Sequence, residues 1–242
     1  MISAFYSGVS GAKSAQAGLD VNANNIANVN TTGYKAQQTG FSDLLYIETS
    51  AQNPVQIGSG VKVSAVSSFL DTGSIQQTGA EYDFAILGEG YFCVRGNDNN
   101  IYYTRNGNFN LQEQDGTTYL VTASGEQVLN SQQSPVTLSA ASDSESAEAS
   151  ETATVGIDIG VFTFNNPYAL TRNGYGLFSA NAQSGAAEVD AESYVVQGAI
   201  EGSNVDLTCE LTDMMQAQRS FQMSVKLIQT ADELENIANN LR

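Results

Sequence analysis

Residues 1–30, MISAFYSGVSGAKSAQAGLDVNANNIANVN, contain no proline, and Ile2, Phe5, Val9, Ala12, Gln16, Leu19, Ala23 and Ile26 recur in alternating steps of three and four. That period is the apolar seam of a helix that packs against another helix, with one polar interruption at Gln16. The other end of the chain repeats it. Leu207, Leu211, Met214, Gln218, Phe221, Val225 and Ile228 step by four and three, before a shifted set at Ala231, Leu234, Ala238 and Leu241. Both ends therefore read as helices, and a polar residue at a seam position, here Gln16 and Gln218, fixes register at some cost in stability. Ser203 and Asp206 have the spacing of a capping box, with Asp in place of Glu or Gln, and mark a helix start just after Gly202.

Between the helices the pattern changes to short β-type runs: Val61–Val63, Phe84–Leu87, Tyr91–Val94, Ile101–Tyr103, Tyr119–Val121, Val155–Ile159 and Tyr194–Val196. Turn signals at 88–90, 106–108, 115–116 and 124–125 separate them. The fold class is thus mixed α and β. N- and C-terminal helices (1–32 with 203–242) form a coiled-coil-like assembly domain, a partly extended segment (33–70) connects, and a central all-β domain of short hairpins spans 71–202. Within the last, 139–154 (SAASDSESAEASETAT) holds only Ser, Ala, Thr and acids, too little apolar area to offset the entropy of ordering, so a flexible exposed acidic loop is expected. Two antiparallel helices cover at most half of each other's seams. An apolar stripe of about 40 Å, at 1.5 Å per residue, is left asking for partners.

Composition narrows the function. The 242 residues carry a net charge of −17, and the nine basic residues are scattered, so the cationic patch that nucleic acid requires is missing and anionic membrane surfaces are disfavoured. No run approaches the roughly 20 apolar residues of a membrane span, and the N-terminus lacks the pattern of a cleaved signal. Cys93 and Cys209 lie in strand-like and helix-like segments and read as buried small apolar residues, with a single bridge between them left open.

No histidine is present, which removes Ser-His-Asp and Cys-His machinery and histidine metal sites. Carboxylate pairs such as Asp71 with Asp83 or Asp158 with Asp190 are nominal, because a chain with 26 acids offers many. Gly88-Glu89-Gly90 lacks the third glycine of a dinucleotide loop and reads as a turn between strands. No catalytic residue, cofactor or metal is expected.

Particular residues carry a further argument. The run 19–35 (LDVNANNIANVNTTGYK) closely resembles the signature of the flagellar rod and hook protein family. Residues 83–92 (DFAILGEGYF), 103–109 (YTRNGNF) and 165–170 (NNPYAL) are similar to its central motifs, and 202–206 (GSNVD) with 217–221 (AQRSF) to its C-terminal ones. Phe41–Tyr46 and the compact β body look more like the rod members, the distal-rod type in particular, than the hook protein.

The resemblance implies a structural subunit of the flagellar rod in the basal body. Such subunits polymerise helically through their terminal helices into a hollow drive shaft that transmits torque and passes exported subunits. The hook is the alternative within the family; from another class, a cell-wall-binding or cell-wall-cleaving β module is the competitor. The implied partners are further copies of the chain, other axial proteins and the flagellar type III export apparatus, with export from the cytoplasm and no signal cleavage. Assembly contacts are expected at Ile2, Phe5, Val9, Leu19, Ile26, Leu211, Met214, Phe221, Val225 and Ile228, each of which could equally pack within the chain. Asn22, Asn24, Asn25 and Asn28, with Asn30, could hydrogen-bond between subunits or face the channel, or simply cap a fraying helix end.

Overall fold

A computed structural model describes residues 2–48, 56–114, 116–138, 158–190 and 193–240, so the acidic stretch 139–154 lies outside the described residues. The chain is mixed, with a helix at each end and β structure between. It divides into two compact units, one of Met1–Val29, Ala36–Phe69 and Val205–Arg242, the other of Asn30–Lys35 and Leu70–Asn204. Residues 33–70 are thus shared out: 33–35 and 70 count with the β-rich unit, and 36–69 with the helices.

In the helical unit, α1 (Ile2–Ala27) and α2 (Leu207–Asn240) run antiparallel. Gly8 faces Leu227 and Ile228, Gly11 faces Ser224, and Asn25 meets Glu210. Strands β1 (Gln37–Asp43), β2 (Tyr46–Glu48), β3 (Gln56–Gly58) and β4 (Val61–Ser68) form one antiparallel excursion, β1 pairing with β4 and β2 with β3. The β1–β4 hairpin lies on α1: the Ser14 hydroxyl donates to the Val61 carbonyl at 3.3 Å, the Val61 N–H donates to Ser10 Oγ at 3.4 Å, and Phe41 sits over Gly18.

The start of α2 corrects the sequence reading. Asp206, not Ser203, is the cap; its carboxylate accepts the N–H groups of Thr208 at 2.8 Å and Cys209 at 3.4 Å. The residues before it are held elsewhere, Gly202 N–H donating to the Ser74 carbonyl and Asn204 N–H to the Tyr34 carbonyl, so helical geometry begins only beyond them.

The β-rich unit contains β5 (Ile75–Gln77), β6 (Phe84–Leu87), β7 (Tyr91–Arg95), β8 (Ile101–Thr104), β9 (Phe109–Gln114), β10 (Thr117–Thr122), β11 (Gln127–Val128), β12 (Thr137–Leu138), β13 (Val161–Phe164), β14 (Thr171–Gly174), β15 (Leu177–Ser179), β16 (Ala187–Val189), β17 (Tyr194–Gln197) and β18 (Ala199–Glu201). Its main sheet runs β12-β10-β11-β7-β8-β15-β14, with β9 added to β10, and β13 joining β7 to β16. Two short ladders, β6–β17 and β5–β18, bring the end of the unit back to its beginning.

Strand β7 is buried on both faces, which explains its unbroken apolar run. Phe92 and Val94 pack with Phe84, Ile86, Phe109 and Leu120, whereas Tyr91 and Cys93 pack with Tyr103, Phe162, Phe164 and Phe178. The second cluster is aromatic, with Tyr103 and Phe164 edge-to-face at 4.8 Å. Of the strand expected at Val155–Ile159, residues 155–157 lie outside the described set; β13 starts at Val161, just after Gly160, where an added Cβ would meet the backbone of Asn130. The two cysteines are free: Cys93 is buried as expected, but Cys209 is exposed, in the first turn of α2 beside its cap Asp206.

Candidate functional site

Two arrangements stand out, one in each unit. In the helical unit, the innermost line of α1 is made of small or polar residues, Gly8, Ala15, Gly18 and Asn25, and not of the large apolar ones. Small side chains at a crossing let two helices approach closely. A Cβ added at Gly8 would lie 2.9 Å from Leu227 Cδ2, and one at Gly11 would lie 3.1 Å from Ser224 Oγ.

Phe5, Val9, Leu19 and Ile26 flank that line and are half-buried, as are Met214, Phe221, Val225 and Ile228 on α2; Leu211 is exposed, and the side chain of Ile2 is outside the described set. The residues expected at the seam are thus mostly part-covered within the chain. Among its described residues α2 holds none that is buried, and large apolar side chains remain uncovered along it: Met215, Met223 (68% exposed), Leu234 and Ile237 (56% exposed). Of these only Leu234 belongs to the second, shifted apolar set of the C-terminal segment; Met215, Met223 and Ile237 fall outside both periodic sets.

The asparagine cluster separates by position. Asn25 is completely buried; its amide Nδ2 donates to the Gln37 carbonyl and to Glu210 Oε1, both at 2.8 Å, and its Oδ1 accepts the Gln37 N–H at 2.9 Å. Its amide is thus hydrogen-bonded inside the chain. Asn24 is exposed and Asn22 and Asn28 are half-buried; Asn28 Nδ2 donates back to the carbonyl and side chain of Asn24, a local helix-end bond.

In the β-rich unit, segments far apart in sequence converge on a buried charge cluster. Glu201 Oε1 lies 2.6 Å from Lys35 Nζ, and Oε2 lies 2.8 Å from Arg105 Nε, ion-paired but without the alignment of a hydrogen bond. Lys35 also donates to the Asp71 carbonyl, and Arg105 donates to the carbonyls of Gly88 and Gly90, which form the expected turn between β6 and β7. Burial pushes the Lys35 ammonium below its ordinary range, against the opposing pull of Glu201.

The cluster holds residues 30–35, the strap between α1 and β1, to this unit. Gly33 N–H donates to the Glu201 carbonyl at 2.8 Å, Thr32 Oγ1 donates to Asn106 Oδ1 at 2.8 Å, and Arg172 donates to the Lys35 carbonyl while stacking on Tyr34 and Phe178. At Gly33, φ is +67° and a Cβ would sit 2.6 Å from the Arg105 backbone, so both conformation and space call for glycine. Reading the sequence for periodicity missed Lys35, Arg105 and Glu201. The available signal was that two of only nine basic residues fall inside the Gly- and Asn-rich runs 19–35 and 103–109. Beside the cluster opens a cleft of about 530 Å³, with Asp71, Glu89, Phe164 and Tyr168 on its walls.

Comparison with known proteins covers both ends and the middle. Three family models match: "Flagella basal body rod protein" over residues 5–35, "Flagellar hook protein FlgE/F/G D1 domain" over 85–160, and "Flagellar basal body rod FlgEFG protein C-terminal" over 196–241. Among curated relatives, the flagellar basal-body rod protein FlgG of Bacillus subtilis is 35% identical with all of both chains covered. FlgG of Agrobacterium fabrum is 35% identical over 95% of each, and FlgG of Borreliella burgdorferi is 32% identical over 100% of this chain and 99% of its own.

Proposed function

Since the chain belongs to the flagellar basal-body rod and hook family, we propose that it is a structural subunit of the flagellar rod that assembles with copies of itself through its paired terminal helices. The relatives named above are rod proteins, which weighs for the rod over the hook. The observation that carries the assembly reading is α2, a 34-residue helix without a buried residue that displays Met215, Met223, Leu234 and Ile237. A helix that shows large apolar side chains beyond the face it packs on its own chain gains stability by burying them against another subunit, at about 25 cal/mol per Å².

In this reading, Met215, Met223, Leu234 and Ile237 form the subunit contacts. Phe5, Val9, Leu19, Ile26, Met214, Phe221, Val225 and Ile228 shape the helix pair that presents them and bury their remaining exposed area on assembly, and Leu211 and Ile2 extend the contact at either end. Asn22, Asn24 and Asn28 supply uncharged amides for the inter-subunit or channel surface. The neighbours are other axial proteins and the export apparatus, through which the chain passes without signal cleavage to its place in the basal body. The wild-type chain and a Met223→Asp/Ile237→Asp variant, each supplied to host cells lacking the native copy, test this by mass spectrometry of isolated basal bodies and a motility assay. Incorporation of the wild type and loss of the variant, with both proteins folded, is expected; absence of the wild-type chain from basal bodies would overturn the rod reading, and normal incorporation of the variant would overturn the α2 contact.

A further inference from the structure

The β-rich unit is closed by the last part of it to be synthesised. Strand β17 completes a ladder with β6, and β18 completes one with β5, so residues 194–201 return to pair with 75–87. Glu201, 1% exposed, is where this returning segment meets the strap of residues 30–35. One carboxylate oxygen takes Lys35 Nζ and the Gly73 N–H, at 2.6 and 2.8 Å; the other faces Arg105 Nε. Its main-chain carbonyl takes the Gly33 N–H.

Lys35 and Arg105 are themselves 2% and 3% exposed; besides Glu201 their hydrogen-bond partners are main-chain carbonyls, with the Tyr91 ring beside Arg105 and the Asp71 charge acting on Lys35 without a hydrogen bond. Without residue 201, docking the strap would bury two cations side by side with no carboxylate between them. Removing one partner from a buried ion pair leaves an uncompensated charge, which is far more costly than leaving both groups in water. The strap is then better off hydrated.

We propose that Glu201 is a completion latch: residues 30–35 dock into the β-rich unit only once residue 201 has arrived, so that an incomplete chain keeps its strap undocked. Because chains are made from the N-terminus, Lys35 and Arg105 exist long before their counter-ion does. The device prevents premature locking of a partly made chain, and it rests on the internal geometry of this unit, independently of the assembly reading.

Amide hydrogen exchange on the dilute full-length protein tests it, with Glu201→Gln as a chain whose latch is never delivered. The amides of Gly33 and Gly73 are expected to lose about 100-fold in protection, while those of Phe92 to Val94 in the core keep theirs. Adding Lys35→Met to Glu201→Gln removes the excess cation and is expected to restore about tenfold of the loss at Gly73. Undiminished protection of Gly33 in Glu201→Gln would overturn the proposal. If Glu201→Gln does not fold at all, the double variant decides: recovery of the fold supports the latch, and continued failure overturns it.

Discussion

Asn25, completely buried on α1, donates its side-chain amide to Glu210 on α2 at 2.8 Å, tying the end of one terminal helix to the start of the other. Burial pushes the Glu210 carboxyl above its ordinary range; the Asn25 bond works against that push and the nearby Asp213 charge adds to it. A carboxyl that holds its proton more tightly in the fold contributes stability that is complete below the ordinary carboxylate range and is lost as pH rises through the raised value. Lowering the pH from neutral toward the carboxylate range is therefore expected to firm the helix pair at this site. Glu210→Gln should flatten that part of the pH profile of thermal unfolding and raise the Tm at neutral pH; a slope equal to that of the wild type would refute the assignment.

The close approach at Gly8 leads to a second expectation. Gly8→Ala asks the side-chain end of Leu227 to move and Ile228 to give by a few tenths of an ångström, and the gain in helix propensity offsets this, so its effect should stay below about 1 kcal/mol. Gly8→Ile adds branched bulk where Leu227 and Ile228 already stand, and should cost about 1–3 kcal/mol of helix pairing. Amide exchange reads the difference: α1 should exchange faster in Gly8→Ile than in Gly8→Ala, with the protection of Phe92–Val94 unchanged in both.

The two thiols should report opposite environments. Burial pushes the Cys93 thiol up to about 12, and its side chain is fully enclosed. Cys209 is exposed, with its thiol held above the ordinary range by the hydrogen bond to Asp206. A maleimide is expected to label one thiol per native chain, at Cys209, and the second only in denaturant. Asp206→Asn should speed the native reaction at neutral pH, because a neutral neighbour no longer opposes the thiolate. Labelling of both cysteines in the native state would contradict the burial of Cys93.

Phe92 is fully buried and meets Phe109 edge-to-face at 5.3 Å. Phe92→Ala should cost about 3–5 kcal/mol in urea unfolding, since the surrounding sheet cannot collapse onto the vacated space. Leu111→Ala, at the exposed rim of β9, serves as the comparison and should stay within about 0.5 kcal/mol.

Legibility followed physical signal. The strands at 84–87 and 91–94 were readable because burial on both faces leaves unbroken apolar runs, and both were found. Strands β5 and β14 carry mostly exposed, polar side chains and are held by backbone pairing, to β18 and β15 respectively, so nothing in their composition announced them. The start of α2 was misplaced by a capping pattern that the backbone bonds of Gly202 and Asn204 pre-empt. In the candidate assembly region the apolar period correctly marked two helices, yet it drew attention to Phe5 and Val9 when the most buried line of α1 runs through Gly8, Ala15 and Asn25.

By itself the sequence determined the helix, β, helix order and, through runs such as 19–35 and 103–109, the resemblance to a family, because periodic burial and contiguous motifs are written locally along the chain. Only the tertiary structure decided that Asn25 is an internal tie and that Lys35, Arg105 and Glu201 share one site. Charge pairing across 166 positions leaves no periodic trace; it exists only when the fold brings the groups together and excludes water from around them.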